Sequence, residues 1–462
     1  METVQQEFKK HPQPNRQRGL VLIVVLWVLV LLALLALTLA QNTRLDNTVR
    51  ASGKDRITAR WLARAGIYQA MNEITADRGS TDYPQDGWYN NEDAFKEVEL
   101  EQGRFSVYAD RWESSSTVTY GASDEASKLN LNTASRAALL ALPDMTEELA
   151  DAVLDWRKSQ DAPTEIKSIA GAGERTPVGI HLPGRRFGTV RELALVEGMN
   201  AEILYAEDVN LNGHLETNEN DGQAREPYDD KNDLLKRGLL SYVTVYSFDR
   251  NQDENGWPRI NLNTADETTL AAELNLEEGH VNWILQRQEF GLESIADLLE
   301  ETTINTEEFA GAVKAAQETA EGMTTKKKIV KAPDWKTFRR IADQIAVTDD
   351  TIIPGRININ TAGREVLMTL PGVDAALAEG ILAKRQSADY PEGFTSVAEI
   401  MYVPGMTLET FTQMAELITV RSNVFTIRSC GEAERTGMRH YVEAVVARTQ
   451  TDLTVLYWKE GR

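Results

Sequence analysis

RGLVLIVVLWVLVLLALLALTLAQ, residues 18–41, is the stretch that decides the fold, because no charged residue follows Arg18 until Arg44. An apolar run of roughly 20 residues is long enough to cross the hydrocarbon core of a bilayer as one α-helix. In the short segment before it, the basic residues outnumber the acids: Lys9, Lys10, Arg16 and Arg18 against Glu2 and Glu7. The positive-inside bias places that segment in the cytoplasm. The sequence therefore predicts a single membrane crossing with the rest of the chain exported.

Three interpretations of this stretch compete: a cleaved secretory signal, a plain signal anchor and a prepilin leader. The run is long and ends in Leu37-Thr38-Leu39-Ala40, which disfavours an ordinary signal-peptidase site. Gly19 lies between the basic segment and the apolar run, and this arrangement resembles the type IV prepilin leader. The resemblance implies that prepilin peptidase cleaves after Gly19, so that the mature chain begins at Leu20, often methylated. Val24 occupies the position at which most prepilins carry a glutamate.

Composition limits the classes of function. The chain has 462 residues and a net charge of −22, and residues 1–19 contribute +2, so the remainder carries −24. Such a surface makes nucleic acid an unlikely partner. Cys430 is the single cysteine, which excludes an internal disulfide and a multi-cysteine metal site. The sequence contains no HExxH, GxSxG or Walker A pattern, so an enzyme is disfavoured.

The periodicity beyond the membrane predicts an α+β fold. Residues 42–76 continue the N-terminal helix as an amphipathic segment, and Gly79, Pro84 and Gly87 mark a loop. Alternating or β-branched residues predict strands at 103–112, 116–120, 424–431, 440–449 and 453–460. A pilin-like antiparallel sheet that begins near residue 103 and finishes after residue 424 is interrupted by a large, mainly helical insertion.

An internal repeat divides the insertion. Its three copies read KLNLNTASRAALLALPDMTEELADAVLDWR (128–157), RINLNTADETTLAAELNLEEGHVNWILQRQ (259–288) and RININTAGREVLMTLPGVDAALAEGILAKRQ (356–386). The pattern predicts that Asn132, Asn263 and Asn360 are helix N-caps, with the preceding apolar residues as staples. The second helix of each copy ends at Arg157, Arg287 or Arg385, and a half-repeat follows at 187–199, 290–299 and 394–406. These are helical modules of the helix-hairpin-helix or SAM-like type.

Helix-hairpin-helix modules raise a second hypothesis, a membrane-anchored DNA receptor of the competence type. Modules that hold DNA present a glycine-rich turn and basic side chains to a phosphate. Here only Gly372 remains in the third hairpin, and acids occupy the hairpins: Asp144, Glu147, Glu148, Glu277, Glu278 and Asp374. The basic stretch at 326–340 is interpreted as a solvated linker.

The sharpest local motif lies between the first two modules. Residues 208–219, DVNLNGHLETNE, match the pattern D-x-[DN]-x-[DN]-G-x5-E. This spacing predicts a structural Ca²⁺ site whose ligands are Asp208, Asn210, Asn212, the carbonyl of His214, Glu216 and Glu219, with a helix before it at 200–206 and no helix after it. Four nearby acids are candidates for a second cation site: Asp221, Asp229, Asp230 and Asp233.

The Gly19 leader, Val24, the interrupted sheet, the INLNTA-type repeats and the Asp208 loop together resemble the general secretion pathway protein K family. The resemblance implies a non-enzymatic minor pseudopilin of a type II secretion system, anchored in the inner membrane with its bulk in the periplasm. It also implies that the protein caps the pseudopilus tip with the I-type and J-type minor pseudopilins. The third module is one more than the family's usual helical domain contains.

These inferences divide the chain into consecutive segments. They are a leader (1–19), the N-terminal helix (20–77, transmembrane over 20–40), the first part of the sheet (78–127), module 1 (128–205), the acidic calcium-loop segment with a strand (206–258), module 2 (259–322), a basic linker (323–355), module 3 (356–419) and the final strands (420–462).

Overall fold

The structure of the protein is a computed structural model. It describes residues 17–461 except 78, 110–117, 159–185, 210, 212–214, 225–228, 230, 300–329 and 450–451. The first element is helix α1 (Gln17–Ala76), which combines the apolar run and the amphipathic segment in one uninterrupted helix. At 1.5 Å per residue, α1 is about 90 Å long. The prediction that one helix contains both segments is confirmed.

The remaining helices of the described residues are short. The α-helices are α2 (Glu92–Phe95), α3 (Arg136–Leu140), α4 (Glu147–Lys158), α5 (Ala201–Tyr205), α6 (Glu267–Ala272), α7 (Glu278–Gln288), α8 (Trp335–Ile341), α9 (Arg364–Leu367), α10 (Ala375–Arg385) and α11 (Leu408–Met414). Short 3₁₀ helices lie at Glu125–Ser127, Val190–Leu195, Thr217–Glu219, Leu239–Ser241, Ile295–Leu299, Val397–Tyr402 and Ala415–Leu417.

The strands form one principal sheet and several two-residue or three-residue pairs. They are β1 (Val98–Leu100), β2 (Gly103–Tyr108), β3 (Ser123–Asp124), β4 (Leu129–Asn130), β5 (Val243–Thr244), β6 (Phe248–Arg250), β7 (Ile260–Asn261), β8 (Ile345–Ala346), β9 (Ile352–Pro354), β10 (Ile357–Asn358), β11 (Ile418–Thr419), β12 (Val424–Ala433), β13 (Arg439–Arg448) and β14 (Leu453–Gly461).

The principal sheet has the order β1-β2-β12-β13-β14, with β3 also paired to β12, and every pairing in it is antiparallel. Strands β2 and β3 precede the helical insertion and β12 follows it, yet they are hydrogen-bonded neighbours. The predicted interrupted antiparallel sheet is therefore confirmed. Residues 116–117 of the predicted strand at 116–120 lie outside the described residues. In the described remainder, Thr119 makes a single bridge to Ala109.

The second half of α1 packs across this sheet. Its buried side chains recur at helical spacing: Ala59, Leu62, Ala63, Ile67, Ala70 and Ile74. The closest approach is at Gly431 of β12, where a Cβ atom would lie 2.2 Å from the Ala59 carbonyl oxygen and 2.3 Å from the Ala63 nitrogen. Only glycine permits this separation between helix and strand. The sheet thereby packs against one face of α1, at the end of the helix that lies away from the apolar half.

A short parallel strand pair closes each helical module. The residues just before the INLNTA-type turn pair with a segment further along the chain: β4 with β5, β7 with β8, and β10 with β11. The modules consequently extend to residues 244, 346 and 419. One continuous hydrophobic core contains side chains from all three.

The predicted N-caps of these modules are wrong. The first helices of the modules begin after Ser135, Asp266 and Gly363, three residues beyond the asparagines Asn132, Asn263 and Asn360. Each asparagine instead reaches a distant backbone segment. The Asn360 side chain donates to the Phe394 carbonyl (2.9 Å) and accepts from the Phe394 N–H (2.8 Å), and Asn132 does the same with Phe187.

The same contacts correct the alignment of the second copy. Asn263 makes its pair of hydrogen bonds with Leu292, so the counterpart of Phe187 and Phe394 is Leu292 rather than Phe290. At the end of the second helix, Gln288 donates to the Leu262 and Ala265 carbonyls, as Arg385 does to the Ile359 and Ala362 carbonyls. The residue equivalent to Arg157 and Arg385 is therefore Gln288, and the choice of Arg287 is wrong.

The solvated-linker interpretation of 326–340 is also wrong for the described part of that stretch. Helix α8 begins there after the N-cap Asp334, and its side chains Phe338 and Ile341 are fully buried in the module core. The cations of α8 lie on its outer surface because the apolar residues at helical spacing face inward. Residues 326–328 lie outside the described residues.

The basic residue at the head of each repeat is held by a buried acid. Lys128 contacts Glu125 (3.1 Å), while Arg259 and Arg356 both contact Asp249 (3.0 and 3.2 Å). Asp249 is fully buried. This carboxylate therefore joins the heads of modules 2 and 3 to the strand that follows module 1.

Candidate functional site

The apolar half of α1 is exposed along its whole length. Every large apolar side chain described between Leu22 and Leu39 is at least 46% exposed. Of the helices in the described residues, α1 alone is long and apolar enough to cross a bilayer. Gly19 and Leu20, the predicted processing site, lie in the first turns of this helix. This arrangement is compatible with a single-pass membrane anchor.

The second half of α1 carries an apolar stripe on the face turned away from the sheet. Ile57, Trp61 and Tyr68 are each about 60% exposed and recur at intervals of four and seven residues. Beside them, Arg50, Lys54 and the β1–β2 turn line an open, largely apolar groove of about 790 Å³. The face left free by the sheet thus exposes apolar side chains, and it is continuous with the apolar half of α1.

The candidate calcium loop follows α5. The predicted helix at 200–206 is present as α5, capped by Asn200, and the loop's last ligand lies in a single 3₁₀ turn. Asp208 and Glu219 are buried, and Glu216 is half-buried. Asn210, Asn212 and His214 lie outside the described residues. The structure thus places three of the six predicted ligands.

Glu219 is the most informative residue of the loop. One carboxylate oxygen accepts the Glu216 N–H (3.0 Å), while the other, Oε1, is buried and has no hydrogen-bond partner among the described residues. Burial first, and then the neighbouring acids Asp208, Glu216 and Glu207, raise the pKa of Glu219 to about 7. Buried, mutually repelling oxygens are the chemistry that a hard divalent cation satisfies. The chemistry of these donors suits a Ca²⁺ ion, but Asp208, Glu216 and Glu219 do not bring three carboxylate oxygens within 4.8 Å of one another in the described structure.

The candidates for a second cation have other roles in the described structure. Both oxygens of Asp229 accept backbone N–H groups, from Asp221, Gly222 and Lys231. Asp233 accepts the Asn220 side chain (2.7 Å), and Asp230 lies outside the described residues. Asp229 thus ties the loop together, and a second cation at these acids stays a prediction.

A further acidic cluster at the end of α1 was not predicted. One carboxylate oxygen from each of Asp77, Asp82 and Asp86 lies within 4.8 Å of the others. The Arg448 guanidinium contacts Asp77 (3.1 Å) and Asp82 (3.2 Å). Burial raises the pKa values of Asp82 and Asp86 to about 7. Nothing in the sequence pairs Arg448 with this loop, because the contact depends on where β13 ends.

The hairpins of modules 1 and 3 are already capped by their own side chains. In module 3, Gly372 has φ +73°, and Asp374 accepts the Leu377 N–H at the start of α10. In module 1, Thr146 accepts the Leu149 N–H at the start of α4. At each of these helix N-termini a side chain of the protein thus already accepts one of the amide groups that a phosphate would use.

Three comparisons with known proteins bear on these features. Residues 355–419 match a family model described as "Helix-hairpin-helix motif". No curated protein matches the chain in sequence. Among solved structures, the chain is similar to a chain of the GspK-GspI-GspJ complex of the type 2 secretion system from enterotoxigenic Escherichia coli. The identity is 14% and the TM-score 0.40, over 89% of this chain and 99% of that chain.

The family match has the same limits as the third module. It begins next to Arg356, before β10, and ends with β11, the strands whose parallel pairing closes that module. The predicted helix-hairpin-helix character is therefore confirmed for module 3. Modules 1 and 2 repeat its asparagine contacts and its closing strand pair, so their local architecture is the same.

Proposed function

We propose that this protein is a minor pseudopilin of a type II secretion system, a structural and non-catalytic subunit at the tip of the pseudopilus. The observation that carries the proposal is α1. It is one helix whose first half is apolar and exposed and whose second half is held by a sheet on one face only. A helix of this kind can pack beside equivalent helices that rise from the same membrane.

The position of the helical modules supports a role at the tip. Contacts between the modules and the α1 end of the sheet involve the segment just after Ala76. Arg421, which follows β11, donates to the Ser80 carbonyl (2.6 Å), and the Asp82 N–H donates to the Val420 carbonyl (3.0 Å). The modules thus pack beside the end of α1 that is remote from its apolar half. In a filament of parallel helices, a bulky insertion there opposes the addition of a further subunit.

Val24 is consistent with a subunit at the tip of the pseudopilus. By resemblance to pilins, an acid at that site pairs with the N-terminal amine of a neighbouring subunit. A terminal subunit has no such neighbour above it. In this proposal, prepilin peptidase cleaves after Gly19, Leu20 becomes the methylated N-terminus, the helix stays in the inner membrane and the modules lie in the periplasm. The Asp208 loop binds a structural Ca²⁺ ion.

Co-purification tests the proposal. The full-length chain is expressed with prepilin peptidase and the I-type and J-type minor pseudopilins of the same source, then extracted in detergent. We expect a stable complex and a mature N-terminus at Leu20 by mass spectrometry. Trp61→Glu should weaken the complex by about tenfold or more, because it places a charge in the apolar stripe. Tyr83→Phe, a change outside the stripe, serves as the control.

The alternative function is a competence-type DNA receptor, and a DNA-binding experiment distinguishes it from a pseudopilin. The same protein is offered duplex DNA at low ionic strength, where attraction to phosphates is strongest. We expect no binding, because the exported part carries −24 and the hairpins of modules 1 and 3 are capped by their own side chains. Salt-sensitive DNA binding without a pseudopilin complex would reverse the proposal.

A further inference from the structure

A cationic cleft lies between the second and third modules. It encloses about 610 Å³ and is lined by four cations, Lys331, Lys336, Arg339 and Arg340, and by the rings of Trp335 and Tyr402. Most of these residues belong to α8 and its approach, and Tyr402 belongs to the 3₁₀ turn of module 3. Clustered cations are unexpected in a chain with a net charge of −22.

Four cations line the cleft against two acids, Glu277 and Asp334, so the lining carries an excess of positive charge. Lys331 and Lys336 are exposed and make no ion pair within the described residues. The Arg340 guanidinium donates to the Leu274 and Asn275 carbonyls (2.7 and 3.1 Å), which orients it without cancelling its charge. Only Arg339 contacts a carboxylate, Glu399 at 3.3 Å. The cleft therefore retains an attraction for anions.

Two further features supply unused hydrogen-bonding groups. His280 lines the cleft and is 4% exposed, and its Nε2 atom has no hydrogen-bond partner in the described part of the chain. Helix α7 begins beside it, and its N-cap Glu277 makes no side-chain capping bond. In this module, unlike modules 1 and 3, the first amide groups of the second helix are not capped by a side chain.

The aromatic side chains add an apolar contribution. The Trp335 Nε1–H donates to the Tyr402 hydroxyl (3.2 Å), and this bond joins the two modules across the cleft. The Tyr402 ring is 43% exposed, with the Arg339 guanidinium 5.4 Å from its centroid. Exposed rings beside cations suit a ligand that carries both carboxylates and apolar groups.

We infer that this cleft binds a carboxylate-rich segment of a partner protein. A peptide fits better than nucleic acid for two reasons. Glu277 and Asp334 also line the cleft, and the net negative charge of the chain repels a dense polyphosphate. A peptide with a few carboxylates separated by apolar residues can contact the four cations and the two rings. Its lower charge density makes its repulsion by Glu277 and Asp334 weaker than that of a polyphosphate. The inference is independent of the proposed pseudopilin function, since it uses no residue of α1.

The test uses the full-length protein in detergent and a short fluorescein-labelled peptide in which glutamates alternate with leucine and glycine. Fluorescence anisotropy at low salt should show binding that weakens as salt is added. The double variant Lys331→Ala/Lys336→Ala should raise the Kd about tenfold, the sum of two modest ion pairs. Neither side chain forms an ion pair or hydrogen bond with another described side chain, so we expect the unfolding midpoint of the double variant to be unchanged, and a urea titration checks this.

Two controls make the result specific. A peptide with glutamine in place of glutamate should bind at least tenfold more weakly, and Lys459→Ala, which removes an exposed cation of β14, should leave the Kd unchanged. No binding of the glutamate peptide, equal binding of the glutamine peptide, or an unaltered Kd in the double variant would each overturn the inference. If duplex DNA displaces the peptide and binds with higher affinity, the cleft is a nucleic-acid site and the inference is wrong.

Discussion

At the scale of single residues, buried carboxylates dominate the chemistry of this protein. Asp124, Glu125 and Asp249 are almost fully buried, and each accepts at least one hydrogen bond or ion pair from a side chain. Ser422 and Thr361 donate to Asp124, Lys128 contacts Glu125, and two arginines contact Asp249. Glu219 and Asp249 each keep one buried oxygen without a hydrogen-bond donor among the described residues. Asp249 has two arginines beside it, whereas Glu219 is surrounded by other acids, and a bound cation would supply the missing positive charge.

Calcium should therefore stabilise the protein through Glu219. At a hundredfold excess over its Kd, a ligand specific for the folded state contributes about 2.7 kcal/mol to the free energy of unfolding. We expect the melting temperature of the chelated protein to rise on addition of Ca²⁺, and Glu219→Gln to abolish that rise. Glu197→Gln, at an exposed acid outside the loop, should leave it intact. A wild-type melting temperature indifferent to Ca²⁺ would contradict the assignment.

The cluster of Asp77, Asp82, Asp86 and Arg448 should make stability depend on pH. The pKa of Asp86 is raised to about 7, by burial first and then by Asp77 and Asp82. Between its ordinary pKa, near 4, and about 7, the folded state binds more protons than the unfolded chain. The free energy of unfolding contributed by this group is therefore highest at low pH and falls as pH rises through that window.

Asp86→Asn measures this contribution. The asparagine oxygen can still accept the Tyr83 N–H, so the turn is kept while the titration is removed. Thermal melts at pH 5 and pH 8 should show a smaller decrease for the variant than for wild type. Asp93→Asn, at an exposed acid of α2, is the matched control. An identical decrease in wild type and Asp86→Asn would refute the assignment.

At the scale of elements, the INLNTA-type turn is a tertiary connector. Each copy holds the polypeptide that enters the half-repeat through an asparagine, and holds the end of the second helix through Arg157, Gln288 or Arg385. Asn360 is fully buried, whereas Asn132 and Asn263 are half-buried. The same contact is therefore made at one fully buried position and at two half-buried positions.

The substitutions Asn132→Leu, Asn263→Leu and Asn360→Leu measure how the energy of the contact depends on burial. Each leaves one backbone N–H and at least one carbonyl unpaired, the Val347 carbonyl being a second one for Asn263, and the cost of a buried unpaired group is about 1–3 kcal/mol. We expect Asn360→Leu to lower the free energy of unfolding by about 2–4 kcal/mol and the other two by less, since water reaches their partners. Urea unfolding of the full chain measures the series. Equal losses at all three positions would show that burial does not control the contact.

At the scale of the whole molecule, ion pairs and a shared core unite the helical insertion. Asp249 joins the heads of modules 2 and 3, and Asp343 joins Arg259 to Arg421 near the sheet. The hydrophobic core runs through all three modules without interruption. The insertion should therefore unfold as one cooperative unit rather than as three separate modules.

Asp249→Ala tests that cooperativity. Removing one partner of a buried ion pair costs about 3–5 kcal/mol, and the arginines here keep Asp343 and Glu416, so we expect about 3 kcal/mol. The loss should be accompanied by a broadened or split unfolding transition in calorimetry. Asp389→Ala, at an acid 81% exposed, should change stability by less than about 0.5 kcal/mol. A single unshifted transition in Asp249→Ala would show that the core alone unites the modules.

The sequence alone determined the features that depend on local periodicity. The apolar run and its amphipathic continuation predicted α1, alternation predicted β2 and β12–β14, and repetition predicted three modules. These predictions succeed because a strand or helix is specified by residues a few positions apart. The Asp208 loop was also predicted from local spacing, since all six of its candidate ligands lie within one short segment, and its Ca²⁺ ion stays a prediction.

Tertiary structure decided which distant groups meet. Asn360 fitted a local N-cap in sequence, yet its partner is Phe394, and the helix N-cap is Gly363. Arg448 reaches the acids after α1, and Tyr402 faces the cations of α8, across separations in sequence that no periodicity encodes. The physical reason is that a buried polar group must find a partner wherever the packed core places it. Its position in the chain does not limit that choice.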